Sequence, residues 1–302
     1  MLDNSTRLAE KLMTLPTITQ KYPPIPLADL TQMISSFSAQ PLPEKKAIVK
    51  RLVAVHPVCS VDWGPGWKYR RARVLQSQEV PATVDEVIWR KGAPAALGRA
   101  NPAGFQVLYL ADRVETALRE VHADDDSIML GEFVILPGRS VRIAPVGELA
   151  SIQRTGRGYF SGEAVSMIND FLNACQREDA LSLLITDSFL LDCLTNTDDD
   201  YELSSSVAMA IFEKQPAISV IAFPSRRQVG AVNLAVRVER FWDNWGLVSV
   251  KHARAVHLAQ GYYRLSETRH VDGITVDGAL RWREQVDDGV SLTLSPAWTA
   301  DE

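Results

Sequence analysis

Gly98 to Val121 reads GRANPAGFQVLYLADRVETALREV, a polar loop, a strand and a helix in direct succession. Arg99-Ala100-Asn101-Pro102-Ala103-Gly104 is turn material, because Pro102 pushes Asn101 away from the α region and Gly104 tolerates positive φ. Arg99 is therefore a loop residue. Gln106 to Ala111 is an apolar run of strand length, and Asp112 stands where the following helix needs an N-cap. On that helix Val114, Leu118 and Val121 recur at i, i+4 and i+7 with Ala117 beside them, which predicts the buried stripe. Glu120 falls roughly 120° from the stripe's centre at about 100° per residue. That places it on the flank, where a carboxylate can line a cleft.

With 302 residues, 46% hydrophobic and 23% charged, the chain is a globular protein large enough for a real core. A net charge of -5 and a pI of about 5.6 argue against a dedicated nucleic-acid binder and leave small anions as ligands. Asp3, Arg7, Glu10 and Lys11 interrupt the first residues, so no secretory signal is expected. The best apolar run, Ala180 to Leu194, is short and carries Asp187 and Asp192, so no membrane span is expected either. Cys59, Cys175 and Cys193 form no C-x-x-C pair, which suits free thiols in a reducing, cytoplasmic location. The Asn4-Ser5-Thr6 sequon carries little weight there.

Before the central stretch, three helical segments separated by prolines are expected, Asn4 to Met13, Leu27 to Phe37 and Pro43 to Val55, with His56 structural. Lys68 to Val74 is a basic strand in which Arg71 and Arg73 share one face and Arg70 points to the other. After the central stretch, Arg139 to Ala150 reads as a short strand and turn. The Arg154-to-Tyr159 loop lacks the G-x-x-x-x-G-K-[ST] spacing, so it reads as a flexible connection rather than a phosphate site. Ser161 to Arg177 is an amphipathic helix expected to bury Ala164, Ile168, Phe171, Leu172 and Cys175, and Ala180 to Leu194 is a second buried segment. Asp198-Asp199-Asp200 precedes a helix and is read as capping rather than as a metal site, since no further ligands lie at suitable spacing.

Ala217 to Phe223 is an apolar strand ending at Pro224-Ser225-Arg226-Arg227, which puts Ser225 at a strand end. No G-x-S-x-G elbow or His/Asp pair accompanies it, so a hydrolase triad is not expected. Leu247 to Glu284 reads as a β-meander, and His252, His257 and His270 lack an H-E-x-x-H arrangement and are read as structural. The tail from Asp287 is expected to be partly mobile.

Taken together, Gly-Arg-x-Asn-Pro-x-Gly, Leu-Tyr-Leu-Ala and Glu-Thr-Ala-Leu-x-Glu-Val resemble the RES domain family, named for an arginine, a glutamate and a serine. Arg71 matches the family's early strand arginine, with Arg70 as the alternative, and Ser225 matches its Pro-Ser after a tyrosine-led helix. Phe223 stands where tyrosine is common in the family. The resemblance implies an α+β fold, an ADP-ribosyltransferase-like core of two small sheets around a cleft. That core would occupy 61–246 with an insertion at about 140–200, between a helical extension over 1–60 and a β-rich extension over 247–302.

The activity implied is consumption of NAD at the nicotinamide-ribose bond, by hydrolysis or phosphorolysis. The alternatives are mono-ADP-ribosylation of a protein, and a catalytically silent nucleotide-binding module. In this reading Glu120 stabilises the oxocarbenium-like state, Arg71 and Arg99 grip the pyrophosphate, and Tyr109 stacks on or walls the nicotinamide. Ser225 would hydrogen-bond a ribose or phosphate oxygen or the nucleophile, so Glu120, Arg71 and Ser225 are the catalytic set. NAD is substrate, so no cofactor and no metal is implied, in keeping with the lack of a G-x-G-x-x-G motif. Further partners implied are an Xre-type helix-turn-helix antitoxin, a protein acceptor and a second copy of the chain, with no nucleic acid and no membrane. Glu120 and Ser225 lie 105 positions apart, and both ends are extended beyond the compact toxin form, so the resemblance supports the fold further than the toxin role.

Overall fold

The computed structural model describes residues 18–76, 79–89, 92, 94–196, 201–284 and 290–292. The expected helix at Asn4–Met13, the Asn4 sequon, Asp198-Asp199-Asp200 and most of the tail from Asp287 lie outside them. In chain order the elements are α1 Ile18–Lys21, α2 Leu27–Phe37, α3 Leu42–Val55, β1 Val61–Trp63, β2 Lys68–Val74, α4 Val84–Val87, β3 Val107–Ala111 and α5 Val114–Glu120. Then follow β4 Asp125–Ile135, β5 Val141–Pro145, α6 Glu148–Thr155, a 3-10 turn at Gly162–Ala164, α7 Val165–Ala174, α8 Arg177–Thr195 and α9 Tyr201–Lys214. The last are β6 Val220–Pro224, β7 Val232–Arg237, α10 Phe241–Asn244, β8 Trp245–Ala259, β9 Tyr262–Ile274, β10 Leu280–Glu284 and β11 Val290–Leu292. By contacts the chain divides into two compact units, residues 1–59 with 145–215, and residues 60–144 with 216–302.

The first unit is helical in its described residues. Leu30, Val49, Leu52, Leu149, Leu183, Leu194, Val207 and Ile211 are among its buried side chains, placed by the 3.6-residue repeat of their helices. Prolines at the start of α3 fix its entry without losing a helical hydrogen bond. Lys214 Nζ, at the end of α9, donates to the carbonyls of Val53, Ala54 and His56 at 2.8, 3.0 and 2.5 Å, satisfying the open C-terminus of α3. Asp187 of α8 accepts from the N–H groups of Gly147 and Ala150, at 3.3 and 2.9 Å, and so caps α6. His56 is buried beside it, its Nε2 3.5 Å from Asp187 Oδ1.

The expected single helix over Ser161–Arg177 is corrected to a 3-10 turn, α7 and a break at Cys175, where the backbone turns extended before α8. Of the five side chains expected to be buried only Leu172 is fully so, and Ala164, Ile168, Phe171 and Cys175 are half-buried.

Burial pushes the Cys59 and Cys193 thiols up to about 12, helped at Cys59 by the carboxylates of Asp187 and Glu148 and at Cys193 by Asp192. The reactive thiolate is scarce there at neutral pH. With a colorimetric thiol reagent at pH 7.5, native protein is expected to titrate Cys175 first, with Cys59 and Cys193 reacting only after denaturant is added. Simultaneous reaction of all three in native protein would contradict this.

The second unit carries the sheet. Its strands run in the order β1-β5-β6-β7-β3-β2-β4-β8-β9-β10, with β11 also on β9. The class is α+β, as expected, and the two small sheets are joined by hydrogen bonding into one path. Their junction is narrow. β3 lies in register with β7 over five residues and β2 with β4 over seven, from Lys68↔Val134 to Val74↔Ile128, whereas β2 meets β3 only at Arg70↔Ala111. The C-terminal meander continues this sheet, since β8 pairs with β4 along its length from Asp125↔Val256 to Ile135↔Trp245. One face is covered by α5, whose Ala117 and Leu118 join Ala72, Ala111, Ile128, Leu130, Ala253 and Ala255 in a buried cluster, with Val114 and Val121 packed against it. The helical stripe and the strand alternation read from sequence meet in that cluster.

Candidate functional site

α5 begins one residue later than its N-cap signal suggests. Asp112 N–H still bonds Val232 O at 3.1 Å, prolonging the β3–β7 ladder, so Arg113 takes the extended N-cap position. Asp112 therefore does not cap the backbone. Its Oδ1 accepts from Thr116 Oγ1 at 2.9 Å, and burial raises its carboxyl above the usual range. Glu120 closes the helix, half-buried on its flank.

Three side chains converge on Glu120. Ser225 Oγ donates to Glu120 Oε1 at 2.7 Å and Asn233 Nδ2 donates to the same oxygen at 2.6 Å. The Arg227 guanidinium faces the other oxygen, with Nε 3.8 Å from Oε2, and its Nη1 lies 3.3 Å from His122 Nδ1. Ser225 is itself fixed from behind: its hydroxyl accepts from the N–H groups of Arg227 and Gln228, both at 3.1 Å, and its own N–H donates to Ala231 O. Ser225 thus acts on Glu120, a contact that differs from the substrate contact expected of it.

A second group gathers around Tyr109. Its hydroxyl donates to Asn101 Oδ1 and accepts from Ala100 N–H, each at 2.8 Å, while Asn101 Nδ2 holds the carbonyls of Ala96 and Pro102. This clamps the Gly98–Asn101 turn that carries Arg99. Gly98 is required there, because a Cβ would stand 2.5 Å from Asn101 Oδ1 and 2.8 Å from the Tyr109 hydroxyl. Tyr109→Phe strands a buried N–H and a buried amide oxygen, and is expected to lower unfolding free energy by about 2 kcal/mol. Urea denaturation of the two proteins checks this, and equal midpoints would show that the turn stands without the clamp.

Arg71 lies beside the same strand, its Nη1 donating to Tyr109 O at 3.3 Å where the β2–β3 ladder has ended. Its Nε is buried without a hydrogen-bond partner, and among the described residues no carboxylate pairs with it. Burial, with Arg73 adding repulsion and Tyr109 partly offsetting both, pushes its guanidinium down to about 10. Arg70 differs: it faces Glu132 Oε1 at 3.4 Å and donates to the carbonyls of Lys68 and Asp112 at 2.7 and 3.0 Å. Of the two, Arg70 has a facing carboxylate, and Arg71 has none among the described residues.

The structure therefore sets Glu120 with Ser225, and Arg71 with Tyr109 and the Arg99 turn. β3 and β7 carry the two groups side by side, because Ala111 pairs with Asn233 and Tyr109 with Ala235. Asn233 and Arg227 are absent from the site expected from sequence. The available signal was Asn233 itself, a polar residue inside the apolar strand Val232-Asn233-Leu234-Ala235-Val236, which must find a partner when buried.

The Arg154–Tyr159 loop, in the helical unit, is pinned rather than flexible. Glu148, fully buried, accepts from the N–H groups of Tyr159, Phe160 and Ser161 at 2.8, 3.1 and 2.8 Å, and from the Ser161 hydroxyl. The loop does form an anion-binding concavity of backbone N–H groups, and the chain's own carboxylate fills it.

Among the described residues no group of three His, Cys, Asp or Glu side chains is placed to hold a metal, and no helix is long and apolar enough to cross a membrane. His252 bonds Ser127 and Thr268, and His257 accepts from Gly261 N–H. In comparisons with known proteins, no curated protein matches the chain. The family model of the RES domain matches residues 70–244, ending at the residue before β8. That match covers Arg71, Arg99, Tyr109, Glu120, Ser225 and Asn233 and more than half of the 302 residues, and the chain belongs to the RES domain family.

Proposed function

We propose that the protein cleaves NAD at the nicotinamide-ribose bond, by hydrolysis or phosphorolysis. The observation that carries this reading is the carboxylate of Glu120, one oxygen held by Ser225 and Asn233 and the other faced only by the partly exposed Arg227 guanidinium at 3.8 Å. Breaking the bond sends its electron pair out with neutral nicotinamide and leaves positive charge on the ribose, in the manner of glycoside cleavage. A preorganised carboxylate stabilises that charge as it forms. The nucleophile then bonds to the ribose carbon and gives up its proton to solvent.

Arg71 supports the same reading. A buried, unneutralised guanidinium beside Tyr109 suits one oxygen pair of a pyrophosphate, which it can meet as a planar fork. Arg99, on the clamped turn, is the second arginine for that group, and Tyr109, whose hydroxyl is committed to the turn, would offer only its ring to a ligand. The toxin role and an Xre-type partner rest on the family resemblance.

The test is nicotinamide release from NAD by purified protein, with and without inorganic phosphate and with lysate as a source of acceptor protein. Release without additions supports hydrolysis, and dependence on phosphate supports phosphorolysis. Dependence on lysate, with label on protein, means ADP-ribose transfer instead. No release under any condition, with NAD still bound, would leave a binding module.

A further inference from the structure

We infer that Asn233 is the positioning residue that sets the working state of Glu120, closing Oε1 to protons and presenting Oε2 to the ligand. The inference rests on the NAD reading for the identity of the ligand, and on the structure alone for the state of the carboxylate.

Asn233 sits in β7 with partners on both sides, Ala111 of β3 and Phe223 of β6. Its backbone is held by two ladders, so its side chain starts from a rigid base. A buried amide is costly unless it is hydrogen-bonded, and here its donor goes to a side chain 113 positions away, not to a neighbouring strand. Nothing in the sheet's own hydrogen bonding needs an asparagine at this place.

The second donor cannot reverse its role. The Ser225 hydroxyl already accepts two backbone N–H groups, so its single proton is left to point at Glu120. Asn233 Nδ2 has only protons to offer. Two obligatory donors on one oxygen leave no room for a proton on Oε1, and the carboxylate's free electron pairs are concentrated on Oε2. The charged and titratable groups facing Glu120 are few: Arg227 of the β6–β7 loop at Oε2, and His122 behind Arg227. β7 contributes the neutral amide. A second carboxylate in its place would be a like charge at hydrogen-bond distance.

The test compares wild type with Asn233→Ala, Asn233→Asp and, for assignment, Glu120→Gln. Asn233→Ala is expected to lower kcat for NAD cleavage about 10–100-fold, the usual scale for removing a supporting hydrogen bond, with KM nearly unchanged. Asn233→Asp preserves shape. Near neutral pH it is expected to be at least as impaired, because two adjacent carboxylates cannot both ionise freely. Toward acid pH a shared proton restores a donor to Oε1, so its rate relative to wild type should rise where that of Asn233→Ala does not. A role in folding alone would give no such difference.

A readout without NAD accompanies it. In protein labelled with [δ-13C]glutamate, the Glu120 carboxyl resonance, identified by its loss in Glu120→Gln, should move in Asn233→Ala at a fixed neutral pH, because Oε1 loses a donor. If Asn233→Ala does not fold, the same displacement is sought in Asn233→Asp. Coincident resonances, or equal pH–rate profiles for the two variants, would overturn the assignment. Failure of wild type to release nicotinamide would remove the NAD reading, and the carboxyl resonance would still decide on Asn233.

Discussion

Glu120→Gln is expected to lower nicotinamide release from NAD by about 10²–10³-fold, the usual cost of losing one aimed electrostatic group. The substitution removes charge and keeps shape. Its amide oxygen can still accept from Ser225 and Asn233 at the Oε1 position, so the local network survives. The amide NH₂ then lies where Oε2 stood, with protons directed at Arg227 and at the carbon that becomes positive. The ion pair lost with Arg227 is partly exposed, at 44% and 34% for the two side chains, and contributes little to stability. A falling kcat with a steady KM would place the loss in the transition state. A rate within about threefold of wild type would show that Glu120 is not the group that meets the developing charge.

Glu148→Ala is expected to destabilise the protein by about 3–5 kcal/mol, the scale for deleting one partner of a buried charged network. Four donors, three of them backbone N–H groups, lose their acceptor at once. The carboxylate itself is fully buried beneath the loop. Gly158 shows how closely: a Cβ there would stand 2.2 Å from Glu148 Oε1. Urea unfolding followed by far-UV circular dichroism, which reports the helices, measures the effect. Glu148→Gln should fall between, since its amide offers one acceptor oxygen and turns two protons toward donors. A midpoint unchanged in Glu148→Ala would mean that water replaces the carboxylate without penalty.

The segment from Gly98 to Val121 was legible because its signals are local. A proline turn, an apolar run and an i, i+4, i+7 stripe each act within a few residues, and Val114, Ala117, Leu118 and Val121 pack where that stripe predicts. Asp112 was misread as a cap because the ladder to β7 claims its N–H, and that ladder comes from the far end of the domain. The same distance hid the role of Asn233: its meaning lies in an oxygen on α5, and no spacing rule links the two. Glu148 was invisible for another reason. Its partners are backbone N–H groups, which every residue but proline carries, so side-chain pattern gives no sign of them. The meander at the C-terminus shows its alternation in sequence, but only the structure gives β8 its neighbour in β4.

The narrow junction at Arg70↔Ala111 bears on how the sheet carries load. One antiparallel rung is at most two hydrogen bonds, against the long ladders on either side. The fewest ladder pairs in the strand path therefore fall at this seam. Arg71 stands on one leaf, and Tyr109 with the Arg99 turn on the other, and beside the rung two arginine side chains of β2 reach across the gap, Arg71 Nη1 to Tyr109 O and Arg70 Nη1 to Asp112 O. The two arginines thus stand on opposite sides of the joint that ladder bonds hold least, where side chains do the tying that the backbone does elsewhere in the sheet.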